Sequence, residues 1–356
     1  MEVNSGFMNR CLQLAIKGSG ATKPNPMVGA VIVNNNKIIG EGYHKVYGGA
    51  HAEVNAINSV KDESLLADST MYVSLEPCAH YGKTPPCAEL IITKKIPRVV
   101  IATKDPNPKV SGKGIEMLLN SGVRVVTGIM EKEAVELNRA FFVNQREKRP
   151  FIVLKWAQSR DGFIDMHRQA GDNKQPVRLS NGLTHSIVHK HRTMVQGILV
   201  GTNTAILDNP RLTARNWFGN SPTRIVIDRN NKIESSSHLL DGTIKTIVFT
   251  SKLSKSTNRH DNAEYVEIDF DSDTNKQIIE YLYQSGIYSV MVEGGTKLLT
   301  SFIDKNLWDD AFIECSEMDL LNGVRGPKIV GEIISTKRLL NSCQYHIRRE
   351  TSPKFN

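Results

Sequence analysis

Gly48-Gly49-Ala50-His51-Ala52-Glu53, followed by Glu76-Pro77-Cys78-Ala79-His80-Tyr81-Gly82-Lys83-Thr84-Pro85-Pro86-Cys87, gathers an imidazole, two thiols and a carboxylate into one short segment. His51, Cys78 and Cys87 are the expected zinc ligands. Three protein ligands leave the fourth tetrahedral position to water, which marks a catalytic site; a closed structural site would need His44 or His80 as a fourth ligand. Zn²⁺ draws the pKa of its water toward ~7. Attack by that water on an amidine-like ring carbon then needs a group to carry its proton to the ring nitrogen and the departing amine. Glu53, two residues from a ligand, is the expected catalytic proton shuttle, beside the water but off the metal.

Outward from this segment, apolar runs alternate with helical patterns. A helix near 6–18 precedes strands near 28–34 and 37–43, which Asn34-Asn35-Asn36 joins as a hairpin. A helix from His51, a strand at 70–75, a helix after Pro86, a strand at 98–103, a helix near 113–121, a strand VRVVTG and a helix near 131–143 follow. That order predicts a sheet covered by helices on both faces. Gln145 to Pro150 is polar and ends in proline, so it is the expected linker between domains 1–146 and 148–356. The second domain repeats the alternation, with strands near 151–157, 197–201, 223–228, 245–250, 264–268 and 288–292 and helices near 181–193, 274–285 and 296–305. SSSHLLDG (235–242) and SKLSKSTNRHDN (251–262) read as surface loops.

Composition sets the limits. A chain of 356 residues is long enough for two domains, and 40% hydrophobic with 23% charged residues is ordinary for a globular protein. No stretch reaches the ~18 apolar residues of a membrane helix, so no membrane partner is expected. The N-terminus lacks a secretory pattern and reads as an amphipathic helix with Phe7, Met8, Cys11, Leu12, Ala15 and Ile16 inward, which places the protein in the cytoplasm. Five cysteines argue for free thiols or a metal site, with Cys11, Cys315 and Cys343 as plain thiols. The net charge of +8 rests largely on scattered lysines, which reads as a solvated basic surface, with anionic small molecules as a second cause and no nucleic acid expected.

The H-x-E and P-C signature resembles the cytidine-deaminase-like superfamily, although eight residues separate Cys78 from Cys87 where a P-C-x-x-C is usual. That longer loop, with Ser74-Leu75-Glu76 before it, Lys23-Pro24-Asn25-Pro26-Met27-Val28-Gly29-Ala30 and Lys104-Asp105-Pro106-Asn107-Pro108, is similar to the bifunctional deaminase/reductases of riboflavin biosynthesis. The resemblance implies a three-layer α/β/α deaminase domain, Zn²⁺, and hydrolytic deamination of a phosphoribosyl diaminopyrimidinone. Asn25 offers a donor and an acceptor to a pyrimidine edge, and His44, His80, Lys83 and Asn107 suit polar or phosphate groups beside the zinc.

The second domain has no G-x-G-x-x-G turn, so no Rossmann site is expected. Lys155 to Gly162, Val200 to Thr204 and Leu207 to Thr213 resemble the reductase part of the same family, which implies a dihydrofolate-reductase-like α/β fold and NADPH. On that resemblance Ala157, Thr204, Asp208 and the run Gly295, Thr296, Lys297, Leu298, Leu299, Thr300 and Ser301 contact NADPH, while Arg192, Leu212, Arg215 and Glu293 hold the ribosylamino-pyrimidine. Where the family carries Trp-Ile-Thr after a serine, this chain has Pro176-Val177-Arg178-Leu179-Ser180. Pro176 then falls at a substrate position, and Arg178 takes the cofactor-facing place of an aromatic ring. A homo-oligomer is expected. Two alternatives stand beside this reading: a nucleic-acid base deaminase, suggested by the basic charge, and a deaminase whose second domain binds nucleotide without reducing, suggested by Arg178.

Overall fold

The computed structural model describes residues 3–81, 85–107, 110–169, 175–253 and 262–350 and divides into two compact units, Met1–Lys148 and Arg149–Asn356. Lys83 lies outside the described residues, as does most of 251–262.

In the first unit the order is α1 (Ser5–Ile16), β1 (Gly29–Asn34), β2 (Lys37–Tyr43), α2 (Ala52–Asn58), β3 (Thr70–Val73), α3 (Cys87–Thr93), β4 (Arg98–Ile101), α4 (Lys113–Asn120), β5 (Arg124–Thr127), α5 (Glu131–Leu137) and α6 (Arg139–Glu147). The sheet runs β2-β1-β3-β4-β5, antiparallel at its first two pairings and parallel after. Side chains alternate across a strand, and the core splits accordingly. Ala30, Ile32, Met71, Val73, Val99 and Ile101 pack on one face with Ala56, Ile57, Ile91 and Leu118 of α2, α3 and α4. Val31, Val33, Tyr72 and Val100 pack on the other with Met8, Cys11, Leu12 and Leu14 of α1 and Ala134 of α5. Three layers are therefore present.

Local differences from the sequence reading have plain causes. Ile16, expected inward, is 55% exposed because α1 ends there, and Leu14 takes a buried place instead. The helix near 131–143 is two helices that meet at Asn138. Residues 145–147 belong to α6, so the expected linker narrows to the left-handed Lys148, where that helix stops.

The second unit comprises β6 (Phe151–Gln158), β7 (Phe163–Asp165), α7 (Gly182–Thr193), β8 (Gly197–Val200), α8 (Thr202–Asp208), β9 (Thr223–Ile227), β10 (Thr246–Thr250), β11 (Ala263–Glu267), α9 (Thr274–Gln284), β12 (Ser289–Glu293), α10 (Thr296–Asp304), β13 (Asp310–Ser316), β14 (Val324–Arg325), β15 (Glu332–Leu339) and β16 (Ser342–Arg348). Its nine-stranded sheet is ordered β11-β10-β9-β8-β12-β6-β13-β16-β15, parallel up to β13 and closed by the antiparallel β13-β16-β15. Leu239 and Leu240 of the expected loop 235–242 are buried in a core cluster with Val226 and Val248, so that stretch is anchored and not free at the surface.

Candidate active sites

The first site forms where β2 and β3 hand over to α2 and α3. His51 is the N-cap of α2, and Asn55 ties the helix start to its surroundings by donating its amide to the carbonyls of Tyr43 at 2.9 Å and Ala50 at 3.2 Å. Gly42 permits this docking: a Cβ there would lie 2.2 Å from the backbone nitrogen of Ala56. Cys87 opens α3, and its N–H donates to Cys78 Sγ at 3.3 Å, while Ala88 N–H donates to the Cys78 carbonyl at 3.1 Å.

His51 Nδ1 stands 3.6 Å from Cys78 Sγ and 3.3 Å from Cys87 Sγ, and the three ligand atoms all lie within 4.8 Å of one another. Tetrahedral zinc with bonds of 2.0–2.3 Å separates its ligands by about 3.6 Å, so this donor set fits the ion. The Cys78 thiol is drawn down to about 4, first by the hydrogen bond from Cys87 and also by His51. Cys87 is pushed up by the same bond and by burial, so the pair keeps one proton until a cation displaces it. No fourth ligand joins among the described residues. His44 is occupied otherwise: its Nδ1 donates to the Ala50 carbonyl at 3.1 Å, and its Nε2 faces Asn25 Nδ2 at 3.3 Å.

Glu53 lies in the first turn of α2, is 3% exposed, and accepts a hydrogen bond from the Cys87 thiol. Burial, and then the neighbouring Cys78 thiolate, raise its carboxyl to about 7 against the opposing pull of His51. The structure thus brings Asn25, His44, His51, Glu53, Cys78 and Cys87 together. His80 is exposed; burial raises the Asp105 carboxyl, which His80 only partly offsets, and Asn107 is half-buried with its N–H on Asp105 Oδ1 at 2.8 Å.

Three supports escaped the sequence. The buried Glu76 carboxylate accepts the N–H groups of Asp105, Gly112, Gly114 and Ile115 at 3.0–3.3 Å, which fixes the loop carrying Asn107. Gly114 packs so closely that a Cβ would lie 1.9 Å from the carbonyl oxygen of Pro77, next to Cys78. Asn138 grips Met27 at both ends, accepting its N–H at 2.8 Å and donating to its carbonyl at 2.9 Å, and so holds the Asn25 loop. The one sequence signal was Glu76 within Ser74-Leu75-Glu76; nothing local marks Gly114 or Asn138.

The second site lies around the ends of β12 and β6. Arg192, in the last turn of α7, meets Glu293, the last residue of β12, with Nη2 to Oε2 at 2.9 Å and Nε to Oε1 at 3.3 Å. Burial works to raise the Glu293 carboxyl, but Arg192 and Lys155 carry it below its ordinary range. Lys155, given no role from sequence, is the missed residue here: burial lowers its ammonium, and Glu293 and Glu314 partly compensate.

Gly294 has φ +109°, and a Cβ on it would lie 2.6 Å from Thr204 Oγ1, so the turn admits only glycine. Thr204 Oγ1 accepts the Gly295 N–H at 3.2 Å. No side chain caps α10, which leaves its first N–H groups suited to an anionic cofactor group. Asp208 pairs with Arg168, which also binds Asp165. Ser180 donates to Glu314 Oε2 at 2.7 Å. Pro176, Arg178, Arg215 and Lys297 are exposed. Leu212 and Leu299 are not: each is buried in core as a whole residue, so neither is exposed for direct contact. Burial first, and then the cations Arg215, Arg192, Arg178 and Lys155, disfavour a charged His185 on α7.

Comparison with known proteins agrees with this division. Residues 1–103 match the cytidine and deoxycytidylate deaminase zinc-binding region, and residues 150–316 match the RibD C-terminal domain. The chain is 38% identical over 336 residues to riboflavin biosynthesis protein RibD of Aquifex aeolicus, covering 94% of this chain and 90% of that one. It is 39% identical to the protein of that name from Bacillus amyloliquefaciens, covering 91% and 87%. A crystal structure of a Thermotoga maritima diaminohydroxyphosphoribosylaminopyrimidine deaminase/5-amino-6-(5-phosphoribosylamino)uracil reductase superposes with a TM-score of 0.85 at 36% identity, covering 97% and 98%.

Proposed function

The chain belongs to the family of bifunctional riboflavin-biosynthesis deaminase/reductases, and from that membership we propose how its own residues divide the work. The enzyme is a zinc-dependent hydrolase that deaminates 2,5-diamino-6-(5-phosphoribosylamino)pyrimidin-4(3H)-one. It is also an NADPH-dependent oxidoreductase that converts the ribosyl group of the product to ribityl. The alternatives of a nucleic-acid base deaminase and of a non-reducing second domain are not favoured. In this reading the partner is a small phosphorylated pyrimidine in the cytoplasm.

His51, Cys78 and Cys87 would hold zinc, which would supply a polarised water for the ring carbon. Glu53 takes that water's proton, delivers it to the ring nitrogen and then helps the amine leave as ammonia. Its burial in the first turn of α2, two residues from His51 and beside Cys87, supports this role, because it places the carboxylate next to the metal ligands. His44 donates through Nδ1, so its Nε2 accepts from Asn25 and sets the amide's direction, which leaves the Asn25 oxygen and one N–H for the pyrimidine edge. His80, Lys83 and Asn107 complete the substrate's polar contacts.

NADPH supplies the hydride in the second unit. Thr204, Asp208, Ala157 and the backbone from Gly295 to Ser301 hold the cofactor, with Arg178 beside it in place of an aromatic ring. Arg192 and Glu293 hold the ribosylamine, and Arg215 meets its phosphate through a planar fork. Pro176 borders the substrate, and the buried Leu212 backs that wall from the core.

The observation that carries the assignment is the open three-ligand cluster with Glu53 against it. Incubation of the pure protein with the diaminopyrimidine phosphate and NADPH should release ammonia and then consume NADPH absorbance. Ammonia without NADPH consumption would overturn the second activity.

A further inference from the structure

Neither activity uses Cys315 or Cys343, yet the fold sets them face to face. The antiparallel register of β13 and β16 pairs Glu314 with Gln344 and Cys315 with Cys343. Directly opposed residues of such a pair project from the same face of the sheet. Their Cα atoms lie about 4.5 or 5.5 Å apart depending on the type of pair, and a disulfide spans about 4.4–6.8 Å, so a bridge needs no change of register. Both thiols are free and only half-buried, which leaves them open to a small solute.

The pair also adjoins the reductase chemistry. Across the sheet, Cys315 is registered with Gln158 of β6, and Glu314 with Ala157. Cys315 shares a side-chain hydrogen bond with Gln158, whose Oε1 accepts the Trp156 indole N–H at 2.8 Å. Glu314, one residue away, holds Ser180 at 2.7 Å and Ser342 at 3.0 Å.

We propose that Cys315 and Cys343 form an oxidisable dithiol that a peroxide closes to a cross-strand disulfide, and that closure slows the reductase while sparing the deaminase. The Cys343 thiolate attacks a peroxide oxygen, the O–O bond breaks, and a sulfenic acid and hydroxide result. Cys315 then attacks that sulfur, the S–S bond forms, and the S–O bond breaks to release water. Two thiols have lost two electrons and two protons, and hydrogen peroxide has become two waters. Burial pushes the Cys315 thiol up, which disfavours it as the group that meets the peroxide first. Closure draws Cys315 from Gln158 and shifts β13 against β6 at Ala157.

The effect on rate rests on the cofactor placement proposed above; formation of the bond does not, and the two are read separately. Zinc-loaded full-length enzyme is treated with dilute hydrogen peroxide, alkylated and digested with trypsin without reduction. Peptides Asn306–Arg325 and Leu339–Arg348 each contain one of the two cysteines and no other. The expected result is a linked species of these peptides, together with a several-fold loss of NADPH oxidation on the deaminated substrate that dithiothreitol restores. Ammonia release should persist, and Cys315→Ser should keep its NADPH rate through the same treatment. Recovery of both peptides alkylated and unlinked overturns the bridge. A linked species with an unchanged NADPH rate, or equal loss of both activities, overturns the control of the reductase.

Discussion

The two sites of this chain solve the same problem, holding a phosphoribosyl pyrimidine for reaction, in opposite ways. In the first, His51, Glu53, Cys78 and Cys87 come from two helix starts and the chain between them, and the ligand atoms of His51, Cys78 and Cys87 crowd within 4.8 Å. In the second, the proposed contacts come from β6, α7, α8, β12 and α10 and meet through ion pairs such as Arg192 with Glu293. A metal concentrates the chemistry, so few residues suffice and their spacing is constrained. Hydride transfer needs two large molecules aligned, so the work spreads over many elements.

The largest effect that would sharpen this contrast comes from Glu53→Gln. Zinc content should stay unchanged while ammonia release falls by about 10²–10⁴-fold, and NADPH oxidation on the deaminated substrate should be untouched. Retained ammonia release would break the contrast by removing its central residue.

Arg192→Ala tests the dispersed site. Glu293 would be left as a buried carboxylate without its main partner, at a cost of about 3–5 kcal/mol. The measurement is the urea midpoint of the fluorescence of Trp156, Trp217 and Trp308, all in the second unit, which should fall well below that of the parent protein. An unchanged midpoint would mean that the pair contributes nothing to the second unit.

Gly114→Ala asks whether the compact site depends on remote backbone. With a Cβ at 1.9 Å from the Pro77 oxygen, the loop bearing Cys78 must shift, and zinc affinity measured by chelator competition should drop about 10–100-fold. The smallest effect is expected at the exposed Arg178. Arg178→Ala should raise the KM for NADPH about two- to fivefold if the guanidinium stacks on or pairs with the cofactor. A lower KM would show that Arg178 hinders the cofactor it was expected to serve.

The same contrast explains what the sequence could reveal. Zinc ligation was legible because His51, Cys78 and Cys87 carry distinctive chemistry at short spacing. The layers were legible from alternating apolar residues, as in Ala30 to Val33, which feed two cores in turn. Glu76 and Asn138 were not, because their partners are fixed by tertiary contact and lie as far as 111 residues away. The β15–β16 hairpin also went unread. Its outer strand is mostly exposed, with Ile333 and Ile334 adjacent and not alternating, so no period of apolar residues announces it, and its turn uses Leu340 and Asn341 with Leu340 at φ +58°. Lys155 was quoted only as part of a resemblance, since an isolated lysine on an apolar strand gives no sign of the two carboxylates awaiting it.

Asn138 carries a consequence for anyone dissecting this chain. The deaminase family match ends at residue 103, yet the side chain that clamps Met27 beside Asn25 sits at the junction of α5 and α6. A fragment cut where the conserved signature stops would keep every metal ligand and lose the brace on its pyrimidine-reading loop. Such a truncation would also lose Gly112, Gly114 and Ile115, which Glu76 holds beside Pro77 and Cys78, so it would bind zinc weakly as well as grip its substrate poorly. The smallest self-sufficient deaminase from this gene therefore extends past Asn138.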